Sequence, residues 1–264
     1  TLVDGNVASA KSLTVDGTAL VSTNALTFIG TAETNGAVTV LGGAGDDLIT
    51  STASSVGDTL KGGAGADTFT FATTSLSSVD TVQGDGGTDI LTFSNSGTVS
   101  DADFTNISTL ETVTALANNG TTIITVGALA AAAGVVTLNA TDNVNTFTLG
   151  AGFTNNATVA LTNDTSTIVA TEYTKALTVT IADDDLTTAD TITGGTGADT
   201  ITMTFGGTAV AAGDMSGVSK IETIKTATNA IGGLTMADAN IASGASMTIN
   251  TTKNTSAAFT FDAA

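Results

Sequence analysis

The chain has 264 residues, enough for one large domain or two modest ones, and its 25 acidic and 6 basic residues give a net charge of −19. All six basic residues are lysines, and so few cations cannot neutralise a phosphate backbone, which excludes nucleic acid as a partner. The absence of histidine and cysteine excludes Ser-His-Asp and Cys-His nucleophiles, zinc and haem sites and thiol redox chemistry. Carboxylates, hydroxyls and backbone groups remain, and sites made only of oxygen ligands favour hard cations, calcium above all.

Composition predicts an all-β fold with many turns, because the chain is rich in Thr, Val and Ile and has 30 glycines but no proline. Its 41% of apolar residues argue against a disordered chain in spite of the acidity. No apolar run approaches the roughly 18 residues that a membrane-spanning helix needs, so the chain is not expected to span a membrane. The first residues lack the basic start of a secretory signal peptide, and we expect either a processed chain or export by a route without that signal.

Short strands are predicted from the N-terminus onward at a spacing of about 10–12 residues, which is typical of β-coils or a β-sandwich. The alanine-rich stretch Ala128–Ala133 is expected to form no more than one helical turn. The predicted strands lie at residues 13–15, 25–29, 37–41, 123–126, 135–138, 146–149, 158–161, 177–181 and 247–249.

Three blocks of nine residues match the pattern G-G-x-G-x-D-x-U-x, where U is a large apolar residue. They are Gly42–Thr50, Gly62–Thr70 and Gly194–Thr202. Degenerate copies keep the aspartate and the apolar residue two positions later, and they lie at Ala53–Lys61, Ser75–Gln83, Gly84–Thr92 and Asp185–Thr193. Such a short, regular repeat predicts a solenoid of stacked coils.

Each position of the nonapeptide has a physical role. Glycine at positions one, two and four allows a positive φ and therefore a tight turn. The aspartate at position six returns its carboxylate to that turn, and the apolar residue at position eight begins a strand and points into a core. Two nonapeptides make one coil, so Asp47, Asp67 and Asp89 are predicted to share one edge, and Asp58 and Asp80 the other. Carboxylates stacked about 4.8 Å apart would repel, and calcium between successive turns would replace that repulsion with oxygen contacts.

The predicted calcium (Ca2+) ligands are the glycines and aspartates of these turns, and no catalytic residue is predicted. The ligands are Gly42, Gly43, Gly45, Asp47, Asp58, Gly62, Gly63, Gly65, Asp67, Asp80, Asp85, Asp89, Asp190, Gly194, Gly195, Gly197 and Asp199. The acidic cluster Asp183–Asp185 has two interpretations, a further calcium site or a solvated turn.

A longer repeat of about 111 residues is also present. Asp103–Val113 reads DFTNISTLETV, and Asp214–Ile224 reads DMSGVSKIETI. Glu111 and Glu222 hold the same place in the two copies. A pair of carboxylates could in principle perform general acid–base catalysis. These two would stack along a solenoid rather than face each other, which favours a role as calcium ligands or turn caps.

The nonapeptides resemble the calcium-binding repeats of the RTX (repeats-in-toxin) family. The resemblance implies a parallel β-roll or β-solenoid, calcium-dependent folding outside the cell and type I secretion. Catalytic RTX proteins carry a zinc-protease or lipase domain, and each of these chemistries needs a histidine, so the chain is not expected to be an enzyme. Within the family the chain is most similar to bacterial surface-layer proteins, which share its Thr/Ala/Gly-rich composition and its F-x-x-I-S-x-x-E-T segment.

The function that this resemblance implies is that of a secreted, calcium-dependent structural protein of the bacterial cell surface, which self-assembles as a surface-layer (S-layer) or filament subunit. The implied partners are other copies of the chain and cell-surface polysaccharide or lipopolysaccharide. The alternatives are an RTX adhesin fragment that binds a host or surface ligand and the calcium-binding tail of a hydrolase. Residues 1–113 would carry the first array (42–92) and residues 114–264 the second site (185–202), with no linker between them, so that one continuous solenoid is the preferred interpretation.

Overall fold

A computed structural model describes residues 1–116, 120–141, 145–162, 165–206, 209–226, 232–237, 240, 246–251 and 259–263. In this part of the chain the strands pair in parallel and lie in stacked coils, which confirms the predicted all-β solenoid. The α-helix found there, α1 (Ala128–Ala133), has six residues, as expected of the alanine-rich stretch. No helix among the described residues has the length and apolar character needed to cross a membrane.

Residues Thr1–Thr122 and Ala128–Val136 form one compact unit, in which the chain alternates between two parallel sheets. The sheet orders are β1-β3-β5-β7-β10 and β2-β4-β6-β8-β11, so each coil contributes one strand to each sheet. In chain order the strands of this unit are β1 (Ser12–Asp16), β2 (Thr27–Ile29), β3 (Ala37–Leu41), β4 (Leu48–Thr50), β5 (Thr59–Ala64), β6 (Thr68–Phe71), β7 (Thr81–Gly86), β8 (Ile90–Phe93), β9 (Gly97–Val99), β10 (Ile107–Ser108) and β11 (Thr112–Ala115).

Residues Ile123–Gly127 and Thr137–Ala264 form the second unit. Its sheet orders are β13-β15-β17-β19-β22-β24, β12-β14-β16-β18-β21 and β20-β23-β25. The strands are β12 (Thr122–Val126), β13 (Thr137–Thr141), β14 (Asn145–Leu149), β15 (Ala157–Thr162), β16 (Ser166–Val169), β17 (Leu177–Ala182), β18 (Thr191–Thr193), β19 (Thr200–Thr204), β20 (Ala209–Val210), β21 (Val218–Ser219), β22 (Thr223–Thr226), β23 (Gly232–Met236), β24 (Thr248–Asn250) and β25 (Phe259–Ala263). The boundary at residues 113/114 that the sequence suggests stays a prediction.

The apolar residue at position eight of each nonapeptide builds the core. Ile49, Phe69 and Leu91 are 0% exposed, and strand register places Ile49 beside Phe69 and Phe69 beside Leu91. Burial of one such side chain contributes about 1.5–3 kcal/mol. The predicted inward direction of these residues is confirmed, and it fixes which way the aspartate two positions earlier must face.

The two copies of the longer repeat have the same local structure. A 3₁₀ helix at Asp101–Phe104 precedes β10 and β11, and a 3₁₀ helix at Asp214–Gly217 precedes β21 and β22. Thr109 has a φ of +50° and Lys220 a φ of +54°, a left-handed conformation that is uncommon for residues other than glycine. The sequence duplication is therefore also a duplication of backbone conformation.

Helix α1 is anchored at its start by a carboxylate. The amides of Leu129 and Ala130 donate to Asp101 at 3.1 and 2.9 Å. The amide of Val135 then donates to the carbonyl of Ala130 and closes the helix. The strand predicted at residues 135–138 consequently begins only at Thr137.

Candidate calcium-binding turns

Aspartates at position six of the repeats are buried. Burial of a carboxylate is costly unless hydrogen bonds or a cation compensate the lost hydration. Most of their hydrogen-bond donors are backbone amides, and serine or threonine hydroxyls supply the rest. The side chains that are no more than 3% exposed are those of Asp47, Asp58, Asp67, Asp80, Asp89, Asp190 and Asp199.

One edge of the first unit carries a ladder of carboxylates, which we call the first-edge ladder: Asp47, Asp67, Asp89 and Glu111. Oδ1 of Asp67 accepts a hydrogen bond from the amide of Asp47 at 2.8 Å, and Oδ1 of Asp89 accepts one from the amide of Asp67 at 2.9 Å. Oε2 of Glu111 accepts from the amide of Asp89 at 2.8 Å and continues the series. Each carboxylate thus binds the amide of its neighbour in the preceding coil, and the structure brings the three predicted aspartates of this edge together.

The opposite edge carries Asp58 and Asp80, which we call the second-edge pair. Oδ1 of Asp80 accepts from the amide of Asp58 at 2.8 Å. Its Oδ2 accepts from the amide and the hydroxyl of Ser77 at 2.9 and 3.0 Å. Oδ2 of Asp58 likewise accepts from the amide and the hydroxyl of Thr52, both at 2.9 Å. Both oxygens of each carboxylate are therefore occupied by protein donors.

The second unit repeats both arrangements. Asp199 accepts from the amide of Leu177 at 2.9 Å through Oδ1 and from the amide of Gly195 at 2.6 Å through Oδ2. Oε2 of Glu222 accepts from the amide of Asp199 at 2.8 Å, as Glu111 does from Asp89. Asp190 resembles the second-edge pair, because its Oδ2 accepts from the amide and hydroxyl of Thr187 at 2.8 and 3.0 Å.

Two carboxylate oxygens of the first-edge ladder accept no hydrogen bond, unlike the carboxylate oxygens described above. Oδ2 of Asp67 and Oδ2 of Asp89 are buried and have no hydrogen-bond partner. An unsatisfied buried polar group costs about 1–3 kcal/mol, and more when it is charged. A Cβ atom at Gly62 would overlap Oδ2 of Asp67, so glycine keeps open the space beside this oxygen. An orphaned carboxylate oxygen facing a space that glycine keeps clear fits a hard cation, and a bound calcium ion would supply the missing partner.

Burial changes the acidity of these carboxyl groups. Burial, together with the negative charges of Asp89 and Asp47, raises the pKa of Asp67 from 3.8 to about 6. Burial also raises the pKa values of Asp89, Asp58 and Asp199. Burial therefore makes ionisation of these four carboxyl groups less favourable than in water.

Calcium-free protein is expected to become more stable as the pH falls from 7 to 5. Unfolded aspartate ionises near pH 3.8 and folded Asp67 near a pKa of about 6, so the folded state binds the extra proton between these values. The resulting stabilisation is complete below about pH 4 and is lost as the pH rises through about 6. Melting temperatures of dialysed, calcium-free protein at pH 5, 6 and 7 measure it, and a steady fall in melting temperature from pH 7 to 5 would contradict it.

Most glycines of the nonapeptide turns do not have the positive φ that the sequence predicts. Positive φ occurs at Gly63 (+108°) and Gly65 (+125°), as predicted, but the other predicted glycines do not adopt it. At these positions the expectation was wrong, because another group of the protein approaches closely instead. A Cβ at Gly62 would overlap the carboxylate of Asp67 in the same turn. A Cβ at Gly195 would overlap the carbonyl of Tyr173 in a neighbouring coil, and the other positions that a neighbouring coil approaches are Gly42, Gly43, Gly45, Gly194 and Gly197.

Asp85 and Asp46 occupy exposed positions beside the ladder. Asp85 has a φ of +67°, and its amide donates to the hydroxyl of Thr109 at 2.7 Å, so this predicted ligand lies outside the first-edge ladder. Asp46, which was not predicted, accepts from the amide of Ala66 at 2.8 Å. The sequence feature that could have identified Asp46 is the Asp-Asp pair in the first nonapeptide. The carboxylate of Asp46 adds negative charge near Asp67.

In the acidic cluster, residues 183–185 form a turn, and both interpretations of the cluster stay predictions. Asp183 is 4% exposed, and its Oδ1 accepts from the amides of Asp184 and Gly206 at 3.1 and 2.9 Å. Among the residues that the structure describes, no three acidic side chains form a group that could hold a metal ion.

Comparison with known proteins identifies the repeats. The family model of the RTX calcium-binding nonapeptide repeat matches in four copies, at residues 34–54, 52–70 and 186–202. Neither the comparison with curated proteins nor that with solved structures gave a match. The matched ranges contain Asp47, Asp58, Asp67, Asp190 and Asp199, whereas Asp89 continues the ladder beyond them. The chain therefore carries the calcium-binding nonapeptide repeats of the RTX family.

Proposed function

We propose that the protein is a secreted, calcium-dependent structural protein of a bacterial cell surface that self-assembles as an S-layer or filament subunit. The observation that carries the proposal is the first-edge ladder, in which buried carboxylates stack one coil apart and two oxygens have no protein partner. RTX calcium-binding repeats on a β-solenoid are typical of secreted structural proteins, and we propose no catalytic role.

The proposed calcium ligands are the turn residues predicted from the sequence, with Asp67 the best supported. Metal that binds only the folded chain stabilises it, so calcium links folding to the environment outside the cell. Where cytosolic calcium is low, the acidic chain would remain loosely folded for export and become ordered after secretion. Asp58, Asp80 and Asp190 are the weaker candidates, because hydroxyls and amides already occupy their oxygens.

A row of threonines on the second unit supports association through polar contacts. Strand register aligns one threonine from each of six neighbouring strands, and their side chains are half-buried or exposed. At a strand spacing of about 4.8 Å, such a row presents regularly spaced hydroxyls that can bind a second copy or a polysaccharide. The row consists of Thr137, Thr158, Thr178, Thr200, Thr223 and Thr248.

Self-assembly is expected to require calcium. Negative-stain microscopy with millimolar calcium should show ordered lattices or filaments, and the same protein in EGTA should show none. Analytical ultracentrifugation of the same samples gives the matching distribution of sizes. Monomers that persist at high concentration in calcium would contradict the proposal, and monomers that bind cells or glycans would favour an adhesin instead.

A further inference from the structure

Seven copies of the short pattern Asn-x-Ser/Thr, in which x is not proline, occur in the chain. This pattern is the acceptor for N-linked glycosylation of secreted proteins, where the modified asparagine lies on the surface. Because so short a pattern also arises by chance, the surroundings of each asparagine decide whether it can carry a sugar. The asparagines are Asn106, Asn119, Asn139, Asn156, Asn163, Asn250 and Asn254, and the structure describes Asn106, Asn139, Asn156 and Asn250.

Three of the four described asparagines are held by the fold. The side-chain amide of Asn106 donates to the carbonyl of Ser78 at 2.7 Å. Asn139 lies within strand β13 and Asn250 within β24, and both are half-buried and have an interaction partner in the protein. A sugar on Asn106 would break its hydrogen bond, and a sugar on either of the others would crowd the half-buried surface of a strand.

Asn156 has a different environment. It is exposed and stands directly before β15, and its side chain has no hydrogen-bond partner among the described residues. Along the strand that follows, Ala157 is buried and Thr158 is half-buried. Because successive residues of an extended chain face opposite sides, the asparagine and the threonine of this pattern both face outward.

The turn that carries Asn156 is fixed by contacts that a sugar would not disturb. Phe153 is 0% exposed, and its ring packs against that of Tyr173 with the ring centroids 5.9 Å apart. The hydroxyl of Tyr173 donates to the backbone carbonyl of Asn155. The amide of the residue after Asn156 donates to the carbonyl of Ala176 at 3.1 Å. These contacts use backbone groups and buried rings, so the side chain of Asn156 stays available.

We propose that Asn156 carries an N-linked sugar, attached by a glycosyltransferase that recognises Asn156 together with Thr158. The donor is a sugar activated by a diphosphate leaving group. Nδ2 of Asn156 forms a bond to the anomeric carbon of the sugar, the bond from that carbon to the diphosphate oxygen breaks, and one amide proton passes to a base of the transferase. Glycosylation takes from the proposed function only the secretion of the chain, and it needs neither calcium nor assembly.

Mass spectrometry of the full chain from the cells that naturally produce it tests the site, with the cytosolic and exported protein measured separately. The wild type should exceed the mass of its sequence by one or more sugar residues. Cleavage before aspartate releases the peptide 142–163, and its fragmentation should place the sugar on Asn156. Asn156→Gln and Thr158→Ala should lose the added mass. Thr158→Ser and Asn155→Gln are the matched controls, and they should retain it because both keep the acceptor pattern.

Sugar on the cytosolic chain would identify a nucleotide-activated donor, and sugar on the exported chain alone would identify a lipid-linked one. A wild type with the mass of its sequence would overturn the inference and leave the proposed function standing. Undiminished added mass in Asn156→Gln or in Thr158→Ala would overturn it as well, because the sugar would then lie elsewhere or be attached without the pattern. A glycosylated chain that is never exported would overturn the proposed function alone.

Discussion

Removal of calcium at neutral pH is expected to melt β-structure around residues 42–92 and 185–202 and to dissociate any assembly. Neighbouring carboxylates of the first-edge ladder lie one strand apart, and two unit charges at about 5 Å repel by roughly 3 kcal/mol at an effective dielectric constant of about 20. Several such pairs are large compared with the net stability of a domain, about 5–15 kcal/mol. Calcium at a hundredfold excess over its dissociation constant would add about 2.7 kcal/mol per site.

Circular dichroism during titration with EGTA measures this loss, and hydrogen exchange locates it along the chain. Added calcium should restore the signal, whereas magnesium should restore little, because it demands a stricter octahedral geometry and gives up its water less readily. An unchanged β signal and an unchanged melting temperature in excess EGTA would refute the coupling of calcium to folding.

The positions of the buried aspartates could be predicted from the sequence because one local rule sets them. Aspartate two positions before a large apolar residue must lie at the edge of a sheet if the apolar residue enters the core. Ile49, Phe69 and Leu91 enter the core, and Asp47, Asp67 and Asp89 consequently meet at one edge. The spacing of 11, 9, 13 and 9 residues between successive aspartates does not disturb this alternation, because insertions lengthen the turns and leave the strand register intact.

The structural role of most of these glycines, unlike that of Gly63 and Gly65, could not be predicted, because it depends on close contacts that arise only in the folded chain. A single turn considered alone predicts a positive φ for the glycine at position one, yet Gly42 does not adopt it. The carbonyl of Gly62 in the next coil lies where a Cβ of Gly42 would stand. A single nonapeptide contains no information about that contact, which arises only when coils stack.

The hydroxyl groups that donate to the second-edge aspartates could partly be predicted from the sequence. Ser77 and Thr187 each stand three residues before an aspartate, a spacing at which a hydroxyl and an amide can bind the carboxylate. The place of Glu111 in the ladder could also be predicted, because Glu111 stands directly before β11 as Asp67 stands before β6 and Asp199 before β19. The link from Thr52 to Asp58 spans six residues and has no comparable local signal.

Replacement of an aspartate by asparagine is expected to change the stability of the calcium-free protein in opposite directions at the two edges. Asp67→Asn keeps the acceptor for the amide of Asp47 and removes the charge of the unpaired oxygen. In calcium-free protein the variant should therefore be more stable than the wild type, by on the order of 1 kcal/mol. In calcium it should bind fewer ions and gain less stability, because the oxygen that it lacks is the one proposed to hold the metal.

Asp80→Asn is the matched variant on the second edge. Its new amide would face the amide and the hydroxyl of Ser77, which now donate to Oδ2 of Asp80. Loss of hydrogen bonds to a charged group costs about 1.5–3 kcal/mol, and this loss should be the same with and without calcium. Urea midpoints of both variants and the wild type, each measured in EGTA and in saturating calcium, separate the two edges. Two results would contradict this difference between the edges. One is an equal shift of the urea midpoint in both variants in EGTA, and the other is an equal loss of the stabilisation by calcium in both.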